Sequence, residues 1–212
     1  MAPRTSKPLQ PPREVRREQL ARLFVEVVEP LLEQGETYAE ISVERLITAV
    51  DISRSTFYVY FDDKGDLLRA MVEDVTQAFA DAAAPWFELG PDATRKDLRK
   101  ALQPLFDAYH QHQMLLGAIT ETAAYDHQIR EQHAALVDRA VTEITRHFRA
   151  QQKLGRAAPL DAPRTARWLV WMLERGLYQL VAPAKPAEFK RLLDTATDIV
   201  WRVLYEGYRD DA

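Results

Sequence analysis

The sequence predicts an all-α chain: a small N-terminal three-helix unit followed by a helical body of about six helices. Apolar residues recur at helical spacing along almost the whole chain, whereas no stretch alternates strictly as half-buried strands do. Only seven glycines occur, and breakers stand between the periodic segments, at Pro85, Gly90-Pro91, Gly155, Pro159, Pro163, Pro183 and Pro186.

Composition narrows the class. Of 212 residues, 47% are apolar and 28% charged, as in an ordinary globular protein. No apolar run approaches the length needed to cross a bilayer, and the opening residues lack the apolar core of a signal peptide, so a cytoplasmic location without membrane association is expected. The absence of cysteine excludes disulfides and thiolate metal sites. Net charge is −4, yet residues 1–22 carry six basic side chains (Arg4, Lys7, Arg13, Arg16, Arg17 and Arg22) against two acidic ones. Such a basic arm can engage phosphates or simply be a solvated tail. Residues 1–13 hold four prolines and no periodicity, and read as a disordered basic arm.

The first helix follows from Leu20, Leu23, Phe24, Val27, Val28, Leu31 and Leu32, with Gly35 as its stop and Pro30 as an internal breaker. Next, Ser42 can cap a helix whose first turn includes Glu44 and whose buried side is Val43, Leu46, Ile47 and Val50. Asp51-Ile52 interrupts the pattern, and Ser53 caps a further short helix, Arg54 to Tyr60. Two helices of about two turns, separated by about three residues, describe a helix-turn-helix that must lean on the first helix to bury its apolar side.

Helical spacing sorts the last of these helices. Phe57 and Phe61 form a buried pair, while Arg54 with Tyr58 and Thr56 with Tyr60 face outward. That outer face offers a guanidinium fork for guanine, hydroxyls for phosphate and a Thr methyl for thymine. Lys64, with the first N–H groups of the following helix, can face a phosphate.

The run from Thr37 through Leu68, and above all Thr56-Phe-Tyr-Val-Tyr-Phe-Asp-Asp-Lys64, resembles the signature of the TetR family of bacterial transcriptional regulators, over about residues 14–72. The resemblance implies a DNA-binding domain over 14–72 and a helical effector-binding and dimerisation domain over 73–212. It implies that Arg54, Ser55, Thr56 and Tyr58 read bases or nearby phosphates and that Tyr60 and Lys64 hold the backbone. With the two capping hydroxyls, the expected contact set is Ser42, Ser53, Arg54, Ser55, Thr56, Tyr58, Tyr60 and Lys64. Two positions depart from the family pattern: Asp51 stands in place of a turn glycine and Gly65 in place of Glu. Asp tolerates positive φ, whereas Gly65 weakens the helix start by up to roughly 1 kcal/mol.

Body helices are expected at about 63–83, 95–112, 114–126, 128–153, 162–182 and 186–208. The segment Trp168-Leu-Val-Trp-Met-Leu173 is apolar around its whole circumference, and the last helix shows a seam of Phe189, Leu193, Ala196, Val200 and Val203. These two helices either form a four-helix homodimer interface, as the resemblance implies, or complete a monomer core. Each aromatic or methionine of the body is individually more often core than ligand contact, but the resemblance implies a pocket for a small effector between the body helices. The composition favours an apolar one, with Trp86, Phe106, Tyr109, Met114, Tyr125, Phe148, Trp171, Met172, Glu174 and Tyr178 as its expected lining and Phe87 beside them. Glu174-Arg175 reads as a buried pair near that pocket or as an interface ion pair.

No nucleophile elbow, phosphate loop, paired-carboxylate site or histidine pair at metal-ligand spacing is present, so neither an enzyme nor a cofactor or metal site is expected. The expected partner is a double-stranded DNA operator, bound by a repressor that an apolar effector releases. The alternative is a helix-bundle protein-interaction module without DNA binding, which the polar, basic outer face disfavours.

Overall fold

The computed structural model describes residues 12–90 and 92–206. Among them it holds nine α-helices and one π-helical segment, and no strand. The chain divides into two compact units that part between Asp74 and Val75. The arm expected over residues 1–13 lies almost wholly outside the described residues, and α1 (Arg13–Glu33) already begins at its last position.

In the first unit, α1 is followed by α2 (Val43–Ala49), α3 (Arg54–Tyr60) and the opening turns of α4 (Lys64–Phe87). Gly35, at φ +92°, ends the chain's exit from α1 in a conformation that costs a glycine nothing. Ser42 Oγ accepts from the Arg45 N–H at 3.2 Å and Ser53 Oγ from the Thr56 N–H at 3.0 Å, so each short helix is capped by its own hydroxyl. Between them Asp51 adopts φ 54°, the left-handed turn conformation expected of it. The core is aromatic. Phe24 meets the Phe57 and Phe61 rings edge-on at 6.0 and 5.8 Å, and Leu20, Leu46 and Met71 of the same unit are also fully buried.

The buried stripe of α1 is rotated from the one expected. Leu23 is 41% exposed, and Ala21 and Val25 are buried beside Leu20, Phe24, Val28 and Leu32. Leu23 stands on the exposed side of the helix, and Val27 and Leu31 are half-buried near the edge of the buried arc.

The second unit contains the rest of α4, then α5 (Arg95–Gln111), α6 (Gln113–Ala123), α7 (His127–Lys153), α8 (Ala162–Gly176) and α9 (Pro186–Leu204). Helix α7 packs along α8, and α5 along α9. A Thr94–Asp97 capping box starts α5, and the Asp126 and Asp161 carboxylates cap α7 and α8. Helix α4 passes through Pro85, read from sequence as a junction, and continues to Phe87. A proline removes one backbone bond, and burial of Trp86 immediately after it offsets that loss. The helix expected over 162–182 is also modified: after Gly176 it widens into the π segment Leu177–Val181, where the His110 Nδ1–H donates to the Ala182 carbonyl at 2.7 Å. A buried network joins distant segments, Trp86 Nε1–H donating to Tyr205 Oη at 3.1 Å and Tyr205 Oη lying 2.7 Å from His147 Nε2.

Candidate nucleic-acid interface and ligand cavity

Seven residues make α3, and only Phe57 among them is buried. Its outer side is organised by Ser53, whose hydroxyl also meets those of Ser55 and Thr56 at 2.8 and 2.7 Å. Arg54 is ion-paired with Glu44 across the turn and lies over the Tyr58 ring, 5.7 Å from its centroid. Both partners of that ion pair are largely solvent-exposed, so it holds Arg54 loosely and leaves the guanidinium available to a stronger acceptor. Tyr58 is exposed, and Thr56 and Tyr60 are half-buried, so the column they form is turned outward only in part. Ser42, the N-cap of α2, is exposed. Val59 was not anticipated: it is 54% exposed on α3, an apolar surface residue between polar neighbours. Its position on the outer half of a two-turn helix was the only signal for it.

The basic residues are engaged within the head. Lys64 was expected at a phosphate, but its ammonium donates to the carbonyls of Tyr38, Ala39 and Ile41 at 2.9, 2.7 and 3.0 Å. Partial burial pulls it below the ordinary lysine range. The first N–H groups of α4 are likewise not all free, since the Asp66 N–H donates to Asp63 Oδ1 at 2.7 Å. In the basic arm, Arg13 donates twice to the Val59 carbonyl, Arg17 donates to the Tyr60 carbonyl and to Asp66 Oδ1, and Arg22 pairs with Asp74. Charge counted along the sequence left phosphate binding and a solvated tail both open, and Arg13, Arg17 and Arg22 instead satisfy carbonyls and carboxylates within the head. Arg13 and Arg17 together occupy the two last carbonyls of α3, where cations also complement the helix dipole.

The second unit holds a partly open cavity of about 840 Å3. Phe79, Trp86 and Phe87 reach it from α4, Leu105 and Tyr109 from α5, Val137 and Ile144 from α7, and Val170, Leu173 and Glu174 from α8. Phe79 stacks on Tyr109 at 4.3 Å and Trp86 on Phe87 at 5.5 Å. Glu174 Oε1 lies 3.3 Å from His133 Nε2. Burial, and then the Glu174 charge, push the Tyr109 phenol above its ordinary value.

Of the expected pocket set, Trp86, Tyr109 and Glu174 line this cavity. Phe106 and Met172 line a separate recess of about 130 Å3 between α8, the π segment and α9. Met114, Tyr125, Phe148, Trp171 and Tyr178 line neither. Tyr125 is 72% exposed at the end of α6, Phe148 is fully buried core, and Trp171 projects outward from α8. An aromatic residue has the same periodicity in a core, a wall or a surface, so spacing could not separate these fates. The Glu174–Arg175 pair also resolves differently: Glu174 turns to His133, while exposed Arg175 lies 6.0 Å from the Tyr178 ring centroid. Trp168, Trp171, Met172, Leu180 and Ile199 are all exposed on α8, the π segment and α9.

A capped helix-turn-helix with an exposed second helix, joined to a helical unit around a cavity, defines a DNA-binding regulator of transcription. The chain belongs to the EthR group of the TetR family of transcriptional regulators: the family described as "Transcriptional regulator EthR, C-terminal domain" matches residues 98–206. Among curated proteins, the HTH-type transcriptional regulator EthR of Mycolicibacterium smegmatis is 25% identical over 171 residues, covering 79% of this chain and 78% of its own. The regulator of the same name from Mycobacterium tuberculosis is 28% identical over 165 residues, with 76% of each chain covered. Solved structures show the fold. A TetR-family regulator from Mesorhizobium loti superposes with a TM-score of 0.68 at 16% identity, over 91% of this chain and 98% of that one. A transcriptional regulator from Saccharomonospora viridis in complex with choline superposes with a TM-score of 0.69 at 16% identity, over 91% and 99%. The family is one of regulators rather than enzymes, and DNA binding displaces the protein-interaction alternative. Among the described residues, no helix is long and apolar enough to cross a membrane.

Proposed function

We propose that the protein is a homodimeric repressor that holds a palindromic operator through two copies of α3 and leaves it when a small, largely apolar molecule fills the cavity. The observation that carries this reading is the cavity, whose volume of about 840 Å3 lies within the range of ligand sites. The Saccharomonospora viridis neighbour, solved in complex with choline, supports small-molecule binding by a protein of this fold. On the DNA side, Arg54, Ser55, Thr56 and Tyr58 read bases or adjacent phosphates, and Ser42, Ser53 and Tyr60 contact the backbone. Val59 adds an apolar contact suited to a thymine methyl. Lys64 acts by fixing the turn before α2 rather than by meeting DNA.

The exposed apolar residues of α8 and α9 support the homodimer, since a patch of that kind on a lone subunit is a liability that a symmetric partner removes. For the switch, α4 is one uninterrupted helix that starts at Lys64 and supplies Phe79 and Trp86 to the cavity wall. A ligand that displaces that wall biases α4. Hundredfold release requires about 2.7 kcal/mol of difference in ligand affinity between the two states. The experiment is retardation of DNA from the gene's own upstream region, followed by titration of compounds that raise the melting temperature. Retardation lost on adding such a compound supports the repressor reading; stabilising compounds that leave DNA affinity unchanged refute the switch.

A further inference from the structure

The cavity holds one feature that an apolar effector does not use. Glu174 lies on the same face of α8 as Val170, four residues before it, and Leu177 opens the π segment three residues after it; all three line the cavity. Its side chain retains 18% of its exposure, and its ion-pairing contact is His133 Nε2 at 3.3 Å, beyond the common range for an N–H···O bond. A carboxylate set among leucine, valine and aromatic walls is costly unless a cation or several donors meet it. The same cavity supplies what an organic cation needs besides charge, aromatic rings: Phe79, Tyr109, Trp86 and Phe87 all line it with Glu174. The wider lining is acidic as well: Glu88, Asp138 and Glu143 join Glu174, against two guanidinium groups, of which Arg146 is paired with Glu143.

We propose that the effector is an amphipathic organic cation, a tertiary or quaternary ammonium on an apolar body, whose charged head is held by Glu174 between the aromatic walls. The inference rests on the reading of the cavity as the effector site and deepens it by naming the ligand class. The hydrocarbon body fills the space among Leu105, Val137, Ile144 and Leu173, while the head replaces His133 as the partner of Glu174. Fatty acids are disfavoured, because their carboxylate would face Glu174 across a medium of low dielectric constant.

The test is calorimetric titration of the full-length protein with decyltrimethylammonium and decanoate, each below its micelle concentration, and with decanol below its solubility limit. The cation should bind at least about tenfold more tightly than decanol, with decanoate weakest. Glu174→Gln should reduce the cation's advantage to about twofold or less while moving decanol affinity by no more than about twofold. His133→Ala keeps the carboxylate and removes its internal partner, so the advantage should persist or grow; this variant decides the matter if Glu174→Gln does not fold. Equal affinity for cation and alcohol in the unmodified protein, an advantage that survives Glu174→Gln, or one abolished by His133→Ala overturns the proposal. Decanol binding that disappears in the cavity-filling variant Ala140→Trp locates the site independently. Failure of all three probes to bind overturns the cavity reading itself.

Discussion

Arg13 donates two hydrogen bonds, at 3.1 and 2.8 Å, to the carbonyl of Val59, a residue 46 positions away on the exposed helix of the head. The first residue of α1 thereby holds the C-terminal end of α3. Arg17 does the same one residue later, at the Tyr60 carbonyl. These guanidinium groups set where the α3 face stands rather than extending it.

Arg13→Ala should therefore weaken binding to the preferred site by about 0.5–1.5 kcal/mol, the net worth of such hydrogen bonds, and leave the salt dependence unchanged. Affinity measured across salt concentrations checks this. A salt slope reduced by about one unit would show that Arg13 meets a phosphate instead.

Lys64→Ala removes one donor from three carbonyls at once, those of Tyr38, Ala39 and Ile41. The head should lose about 1–3 kcal/mol of stability, read in denaturant unfolding, again with little change in salt slope. Unchanged stability together with weaker binding to all sequences would return Lys64 to the phosphate role that its place in the motif suggested.

His147 is buried against Tyr205 Oη at 2.7 Å, and burial, with Arg146 nearby, holds its imidazole below the usual histidine range. With the folded value depressed, the unfolded chain binds more protons below the unfolded value of about 6.5, so stability is present above that pH and is lost as pH falls through it. His147→Gln should flatten this part of the stability profile. Thermal unfolding of both proteins between about pH 5 and pH 7.5 checks the sign. A profile equally steep without the imidazole would assign the effect elsewhere.

The apolar residues left exposed on α8 and the π segment should be covered by a second copy. Trp168→Glu combined with Leu180→Glu should yield a monomer with unchanged helix content, measured by sedimentation and circular dichroism. A dimer that survives both changes would place the interface elsewhere.

The helices were legible because periodicity and caps are local. Ser42, Ser53, Asp51 and Gly35 each act within a few residues of their own position, and each was read correctly for that reason. Contacts between distant segments were not legible. Nothing near Lys64 in sequence announces three carbonyls around Tyr38, and nothing near Arg13 announces Val59. The cavity failed on the same ground. Trp86, Tyr109 and Glu174 line it and Tyr125, Phe148 and Trp171 do not, although all six looked alike as bulky or polar residues on amphipathic helices. Which face of a helix borders empty space depends on the packing of α4, α5, α7 and α8 together, and single-helix patterns carry no record of it.

The most direct test of the central claim, that the outer face of α3 reads DNA sequence, is fluorescence anisotropy of the purified protein on its own upstream duplex and on a scrambled duplex. Arg54 is the side chain on that face best suited to a bidentate base contact. The unmodified protein should prefer the upstream duplex by about a thousandfold or more, and Arg54→Ala should narrow that preference by about 1–3 kcal/mol while barely changing affinity for the scrambled one. Equal affinity of the unmodified protein for both duplexes, or an equal loss on both from Arg54→Ala, would contradict the account.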